Sequence, residues 1–380
     1  MPDREINHHR KGLHGWPSGR RECTAERMLA NPYNGCTHDC LACYAAALPG
    51  SAFARFRACG SITAWREFPQ TVARELDALN FAAPLYLSPV ADPLQPAEKE
   101  LRLTEATMRA ALSRGVPVDL VTKAVPDDRM LGVLAGHRHN LLQFSLPTAD
   151  EDLRRRLMKG GAGVEQILAA IRQAAGMGIY TVLRLDPIYP FLTDSAENIR
   201  STVDKAAAAG VRHIVTSVLD IPLRTREVIW QRLAEGWGAG MAESWRDLYT
   251  IRIGSYLHAH QDYRDEIFQQ VRERASAAVL SFALCMEFRL DAEEHPMGMN
   301  REFATTANCE GLNIPIYRRS GEHFIPASDC NGACLTCNEA KCGIAELAMG
   351  RHGVPEKGVQ LSDWRRWSRK KAFKQEMWFN

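Results

Sequence analysis

The chain has 380 residues, 46% of them hydrophobic and 24% charged, with a formal net charge of +2. That is ordinary globular composition, long enough for one large domain or two of moderate size. So small a net charge points by itself neither to nucleic acid nor to a membrane surface, and no run of about 18 apolar residues offers a membrane span. The first 23 residues have no apolar stretch and do not read as a secretory signal.

Eleven cysteines fall at 23, 36, 40, 43, 59, 285, 309, 330, 334, 337 and 342. An odd number in two tight groups, without a signal peptide, reads as metal binding in a reducing, cytoplasmic compartment, not as a disulfide framework.

In chain order, residues 1–30 are polar and rich in His and Arg. They read as an N-terminal arm, either draped over the surface or touching an anionic substrate. The stretch NPYNGCTHDCLACY (31–44) follows, with Cys36, Cys40 and Cys43 spaced CxxxCxxC ahead of the aromatic Tyr44. Three thiolates in so short a loop can hold three irons of a 4Fe–4S cluster and leave the fourth open. Structural zinc sites usually take four protein ligands in CxxC pairs, and this loop offers three.

Beyond the loop, strand-like runs alternate with amphipathic helices. Helices are expected over 63–79, 98–113 (opened by the turn at Pro96), 127–135, 163–177 and 196–209, the last two closed by Gly178 and Gly210. Strands are expected over 85–90, 116–122, 141–146, 179–185 and 212–218. Such alternation argues for parallel βαβ units. Counting a first strand before the cysteine loop, six units make a partial (β/α)6 TIM-like barrel over 31–220, with its chemistry at the carboxyl ends of the strands. Polar residues stand at those ends: Asp92, Thr122, Lys123, Ser145, Arg184, Asp186 and Ser217. Each alone could be a solvated strand end. Together they form a ring whose cations could neutralise a carboxylate and whose Ser and Asp could bond an amine and ribose hydroxyls.

Residues 221–284 read as a helical extension, with Trp230, Trp237 and Trp245 as packing residues and His258 and His260 as surface or packing residues. Residues 285–380 form a small cysteine-rich region. In DCNGACLTCNEAKCG (329–343), Cys330, Cys334, Cys337 and Cys342 could complete a second 4Fe–4S cluster or bind one zinc. Cys285 and Cys309 are spare thiols: ligand substitutes, hydrogen-atom donors or buried core residues. The tail WRRWSRKKAFKQEMWFN (364–380) mixes basic and aromatic residues. It suits single-stranded nucleic acid, or a helix that packs its aromatics and exposes its charges.

The 31–44 motif resembles the cluster loop of the radical S-adenosylmethionine (radical SAM) superfamily. With ADPLQPAEKELRLT, VTKA, FSLPTADEDLRRRL and VLRLDPIYP, residues 30–220 resemble its spore photoproduct lyase-like branch. The resemblance implies a 4Fe–4S cluster on Cys36, Cys40 and Cys43 whose open iron binds SAM, and an electron donor such as flavodoxin or ferredoxin. It implies reductive SAM cleavage to a 5′-deoxyadenosyl radical, and Tyr44, Asp92, Lys123, Ser145 and Arg184 as SAM contacts. Related enzymes often carry an auxiliary cluster, which favours iron–sulfur over zinc for the C-terminal set. True spore photoproduct lyases place a hydrogen-donor cysteine by the second strand; this chain has none between Cys59 and Cys285, which puts photoproduct repair by that relay in doubt. The expected function is radical modification of DNA or RNA. A small-molecule or peptide substrate, with the auxiliary cluster taking part, is the alternative, and a non-enzymatic iron–sulfur or zinc sensor a third.

Overall fold

The structure is a computed structural model that describes residues 4–7, 12–15, 27–48, 60–354 and 358–375. Cys23, Cys59, most of the N-terminal arm and the end of the basic tail lie outside the described residues.

Seven strands build the central sheet: β1 (Met28–Ala30), β2 (Leu85–Leu87), β3 (Val118–Thr122), β4 (Leu141–Ser145), β5 (Tyr180–Ile188), β6 (His213–Val218) and β7 (Ser281–Leu284). They pair in sequence order and every pairing is parallel. This is the expected partial barrel, extended by a seventh strand. Connecting helices include α1 (Phe68–Asp77), α2 (Leu103–Leu112), α3 (Asp128–Ala135), α4 (Glu151–Leu157), α5 (Val164–Gly176) and α6 (Ala196–Ala209). The path from β6 to β7 runs through α7 (Arg226–Trp237), α8 (Ala239–Leu248), a hairpin and α9 (Gln261–Ala277).

The sheet is buried on both faces, as a parallel sheet must be. Alternate residues such as Leu85, Leu87, Leu120, Leu142, Phe144, Leu183 and Leu185 are sealed in the core. On the opposite face Tyr86 stands beside Asp119, and Ser145 beside Arg184. This polar inner face is the part of the core that apolar burial alone does not explain.

Local departures have local causes. The stretch Ile62–Trp65, expected as the start of a helix, is a strand antiparallel to Tyr33–Asn34, and α1 begins only at Phe68 with Pro69 in its first turn. The helix expected over 98–113 breaks at Arg102, which takes φ +53°. The Glu98 carboxylate then accepts Thr104 N (2.9 Å) and Glu105 N (3.0 Å), satisfying the free donors that open α2. The extension expected to be all helix contains the hairpin Ile251–Ile253/Tyr256–His258, turned at Gly254 with φ +60°.

Trp245 and Trp230 are buried as expected. Trp245 stacks on Tyr249 at 5.5 Å and donates Nε1 to Pro190 O at 2.9 Å. The C-terminal region folds back beneath the barrel. Tyr317–Ser320 pairs with Phe81–Ala82 just before β2, and Phe324 N donates to Arg114 O ahead of β3. Helix α10 (Leu361–Gln375) buries Trp364 and Trp367 edge to face at 5.2 Å, while Asn80 N donates to Ser368 Oγ at 2.9 Å. Of the two readings of the tail, these tryptophans follow the packing one: neither is free to stack on a base. No described helix is long and apolar enough to cross a membrane.

Candidate active site

The cysteine loop follows β1 and lies at the carboxyl ends of the strands, the mouth of the barrel. Its backbone is held from several sides. Gly35 turns the chain at φ +91°, and Gln95 Nε2 donates to its carbonyl at 3.1 Å. Arg232 of α7 donates to Cys40 O (2.6 Å) and Leu41 O (3.0 Å). Gly160 N donates to His38 O (3.0 Å), and Leu41 N to Leu157 O (2.7 Å).

Burial pushes the Cys36 thiol well above the usual range, and Asp92 and Cys40 push the same way. Cys40 is pushed up to about 11, by burial first, with Lys123 opposing and Cys43 adding. Three mutually repelling sulfurs beside a carboxylate suit a cationic iron centre, which would stabilise their thiolate forms. Four thiolates tetrahedral on zinc would sit about 3.8 Å apart, from Zn–S bonds of about 2.3 Å. Among the described residues, neither cysteine set brings three sulfurs within 4.8 Å of one another.

The strand-end ring is assembled as two hydrogen-bonded knots. Asp92 accepts Thr122 Oγ1 (2.9 Å) and Lys123 N (2.6 Å) and pairs with His38 Nε2 (3.1 Å). Burial works against its charge, yet His38 and these backbone donors hold the carboxyl below its ordinary value. Asp92 thus clamps the cysteine loop to β3. Ser145 Oγ donates to Asp186 O at 3.2 Å. Arg184 pairs with Asp186, which also accepts Ser217 Oγ. Arg184 further donates Nη1 to Gln143 Oε1 (3.1 Å) and Nη2 to Cys285 Sγ (2.9 Å). Tyr44 opens the 3₁₀ turn after Cys43 and is 48% exposed at the rim.

The two spare thiols part company. Cys285 follows β7 and stands at the mouth, on Arg184. Cys309 is buried at the other end, the foot: its Sγ contacts Glu310 Oε1 (3.0 Å) and Arg27 Nη2 (3.8 Å), and its carbonyl meets His213 at the start of β6.

Sequence reasoning passed over the inner links. Gln143 Nε2 donates to Asp119 Oδ1 at 2.7 Å, and Asp119 faces Arg27 at 3.7 Å. Burial, with Glu310 adding and Arg27 opposing, pushes the Asp119 carboxyl up to about 7. A polar column therefore runs from Glu310 at the foot through Arg27, Asp119, Gln143 and Arg184 to Cys285 at the mouth. Gln143 and Asp119 alternate with apolar residues inside strands, and that period was the available signal. Arg232 had none, lying far along the chain from the loop it clamps.

The C-terminal cysteines Cys330, Cys334, Cys337 and Cys342 line a small cavity of about 30 Å³. Cys330 is held down to about 6, chiefly by its hydrogen bond with Cys342, whose own thiol is pushed up by that same bond. Arg318 donates Nε to Cys342 O at 2.7 Å, and Gly332 lies against Ile314 beneath Arg27, Pro84, Asp119 and Leu141. Those residues begin β1 to β4 or directly precede them, so this cavity is at the foot. A five-residue strand such as β4 spans about 17 Å at about 3.3 Å per residue, which sets the scale of the separation from the mouth.

Residues 30–206 match the family model of the radical SAM superfamily. That stretch is a radical SAM domain, which marks the chain as an enzyme; the family binds a 4Fe–4S cluster and SAM. A radical SAM Nα-GlyT isomerase of Pseudomonas phage M6 is 26% identical over 356 residues, covering 88% of this chain and 73% of the phage protein. An uncharacterized protein of Mycobacterium bovis is 25% identical, covering 69% of this chain and 76% of its own length. Among solved structures, a cysteine-to-serine mutant of spore photoproduct lyase superposes with a TM-score of 0.53 at 17% identity. It covers 67% of this chain and 75% of the lyase. At that identity the likeness is one of fold.

Proposed function

We propose that this enzyme modifies a nucleic acid with a SAM-derived radical, and that Cys285 supplies a hydrogen atom at the mouth. Bound on Cys36, Cys40 and Cys43, the cluster and SAM supply a 5′-deoxyadenosyl radical, once an electron donor such as flavodoxin or ferredoxin has reduced the site. The observation that carries the reading is that the cysteine loop and Cys285 share one end of the barrel, where Arg184 contacts both Cys285 and Asp186. Lys123 and Arg184 are the cations available to the SAM carboxylate, with Ser145, Asp92 and Tyr44 around them.

For the substrate, the support is the basic rim. Arg224 reaches Ala47 O (3.4 Å), and Lys159 (2.9 Å) and Arg232 (3.2 Å) flank Asp39. Such a fringe suits phosphates. The phage relative is named an isomerase, and an isomerase returns each atom that it removes, which accords with a hydrogen donor at the site.

The C-terminal cysteines make a second 4Fe–4S site in this proposal, with zinc the lesser fit. Their place at the foot favours a structural or electron-handling role over direct contact with substrate. It also weakens the alternative in which an auxiliary cluster takes part in small-molecule or peptide chemistry.

The test is anaerobic incubation of reconstituted protein with SAM and dithionite, with and without single-stranded DNA or RNA. The expected result is salt-sensitive binding of one nucleic acid and a rise in 5′-deoxyadenosine when it is present. Binding of neither, with SAM cleavage unaffected by both, would overturn the nucleic-acid reading.

A further inference from the structure

Just past the ends of β6 and β7 lies a second polar group that the radical chemistry does not use. Asp220 stands two residues beyond Val218, and Glu287 two residues beyond Cys285. His258 closes the hairpin strand Tyr256–His258, which pairs with Ile221–Pro222. Ile221–Pro222 packs in turn on the 3₁₀ turn Tyr44–Ala47 that follows Cys43. One ligand atom from each of Asp220, His258 and Glu287 lies within 4.8 Å of the others. The cluster thus hangs on the same backbone segments that carry Ser217, Cys285 and the cysteine loop.

His258 is 3% exposed and Glu287 1%, whereas the Asp220 side chain is 26% exposed. His258 Nδ1 meets Asp220 Oδ1 at 2.6 Å, both atoms sealed from solvent, without the alignment of a full hydrogen bond. Nε2 is the other edge of this 3% exposed ring, and it is not among the sealed, unpartnered atoms. Contacts of this kind in an unliganded site commonly tighten when substrate closes over them.

Charge separates a proton site from a metal site. Arg264 donates Nη1 to Glu287 Oε2 at 2.9 Å, and Glu287 Oε1 accepts Val218 N at 2.7 Å. Glu287 is thereby neutralised and its oxygens are engaged. A divalent cation would have to sit beside the Arg264 guanidinium. What remains is one carboxylate, Asp220, facing one imidazole, the arrangement in which a carboxylate orients the ring. An imidazole fixed through Nδ1 by a carboxylate presents Nε2 as the exchanging nitrogen.

The geometry points to a proton-transfer site at the rim of the mouth: His258, oriented by Asp220, serves an N–H or O–H group of the substrate. This rests on the reading of the chain as a radical enzyme with a polar substrate. Nε2 takes a proton from a substrate nitrogen or oxygen beside the carbon that has lost its hydrogen atom, and returns it to the rearranged product. No proton or electron is gained or lost over the cycle. Asp220 is the positioning residue. The charged and titratable groups packed around the imidazole are Asp220, Glu287, Arg264 and the buried Tyr249.

The test uses the full chain, reconstituted, with SAM, dithionite and single-stranded DNA. His258→Ala is expected to lower DNA-dependent turnover about 100-fold, the range of general acid–base catalysis, and added imidazole to restore part of it. Asp220→Asn is expected to displace the low-pH limb of the rate profile, and the exposed neighbour His260→Gln to leave turnover unchanged. Separately, without SAM or DNA, diethyl pyrocarbonate should modify His258 in the folded wild type, and more slowly in Asp220→Asn. Absence of imidazole rescue with an unaltered pH profile would make His258 a structural clasp and overturn the proposal. So would stoichiometric zinc or manganese binding that His258→Ala abolishes. Should DNA fail to stimulate the wild type while His258 still reacts in an Asp220-dependent way, the nucleic-acid reading fails and the proton site stands.

Discussion

Replacing Arg264 by Met tests the charge balance behind the rim of the mouth. Arg264 is 1% exposed and donates to Ala259 O (3.1 Å), Glu287 Oε2 (2.9 Å), Phe288 O (2.8 Å) and Gln261 Oε1 (2.8 Å). Breaking a buried ion pair from one side costs about 3–5 kcal/mol, because the other charge is left uncompensated. For a chain of this length that is a fall in Tm on the order of 4–6 °C. The loss should depend on pH, and the sign follows from Glu287. Burial, with Asp220 adding and Arg264 and His258 opposing, pushes its carboxyl up to about 7. The folded state therefore holds that proton more tightly than the unfolded chain does. Its contribution favours folding at low pH and is lost as pH rises through about 7. Without Arg264 the carboxyl rises further, so the variant loses more stability at pH 8 than at pH 5. Glu287→Gln in the Arg264→Met background should recover much of the loss at pH 8. Thermal melts of the three proteins at both pH values decide it. An equal loss at pH 5 and pH 8, or one below about 1 kcal/mol, would refute the uncompensated-charge argument.

Other outcomes follow from where the thiols and glycines lie. Cys285→Ala should lower the ratio of modified nucleoside to 5′-deoxyadenosine, while Cys309→Ala at the foot should leave that ratio unchanged; liquid chromatography of one reaction series reads both. At Gly160 an added Cβ would meet His38 Cα at 2.8 Å and Thr37 O at 3.0 Å. Gly160→Ala should therefore displace the cysteine loop at a cost of about 1–3 kcal/mol and reduce iron uptake at the first site, measured by iron per chain. Glu98→Ala strips the cap from α2, and about 1–2 kcal/mol of stability should be lost by denaturant unfolding.

The parts of the fold with a strong local signal were legible. The CxxxCxxC loop announced its own chemistry, and the alternation of strand and helix announced a parallel sheet with polar strand ends. Those ends do meet: Asp92, Thr122 and Lys123 form one knot, and Ser145, Arg184, Asp186 and Ser217 another. Strand β7 escaped notice because SFAL is four residues long and sits among helices. His258 was read as lying on a helix because the hairpin turn at Gly254 is flanked by only three-residue strands. That reading hid its pairing with Asp220 and Glu287, which is long-range and has no periodicity. The spacing of the C-terminal cysteines made a metal-binding loop the expectation but did not give its place, which the pairing of Tyr317–Ser320 with Phe81–Ala82 decides. The basic aromatic tail matched two physical situations equally well, and burial of Trp364 and Trp367 separates them.

The central claim is that Cys36, Cys40 and Cys43 hold the cluster that cleaves SAM, apart from a second site at the foot. The most direct measurement is iron per chain, with 5′-deoxyadenosine formation, for the anaerobically reconstituted wild type and the Cys36/Cys40/Cys43→Ala triple variant. About eight irons should fall to about four, with 5′-deoxyadenosine lost in the variant. Iron content unchanged by the triple substitution, or SAM cleavage that survives it, would contradict the account.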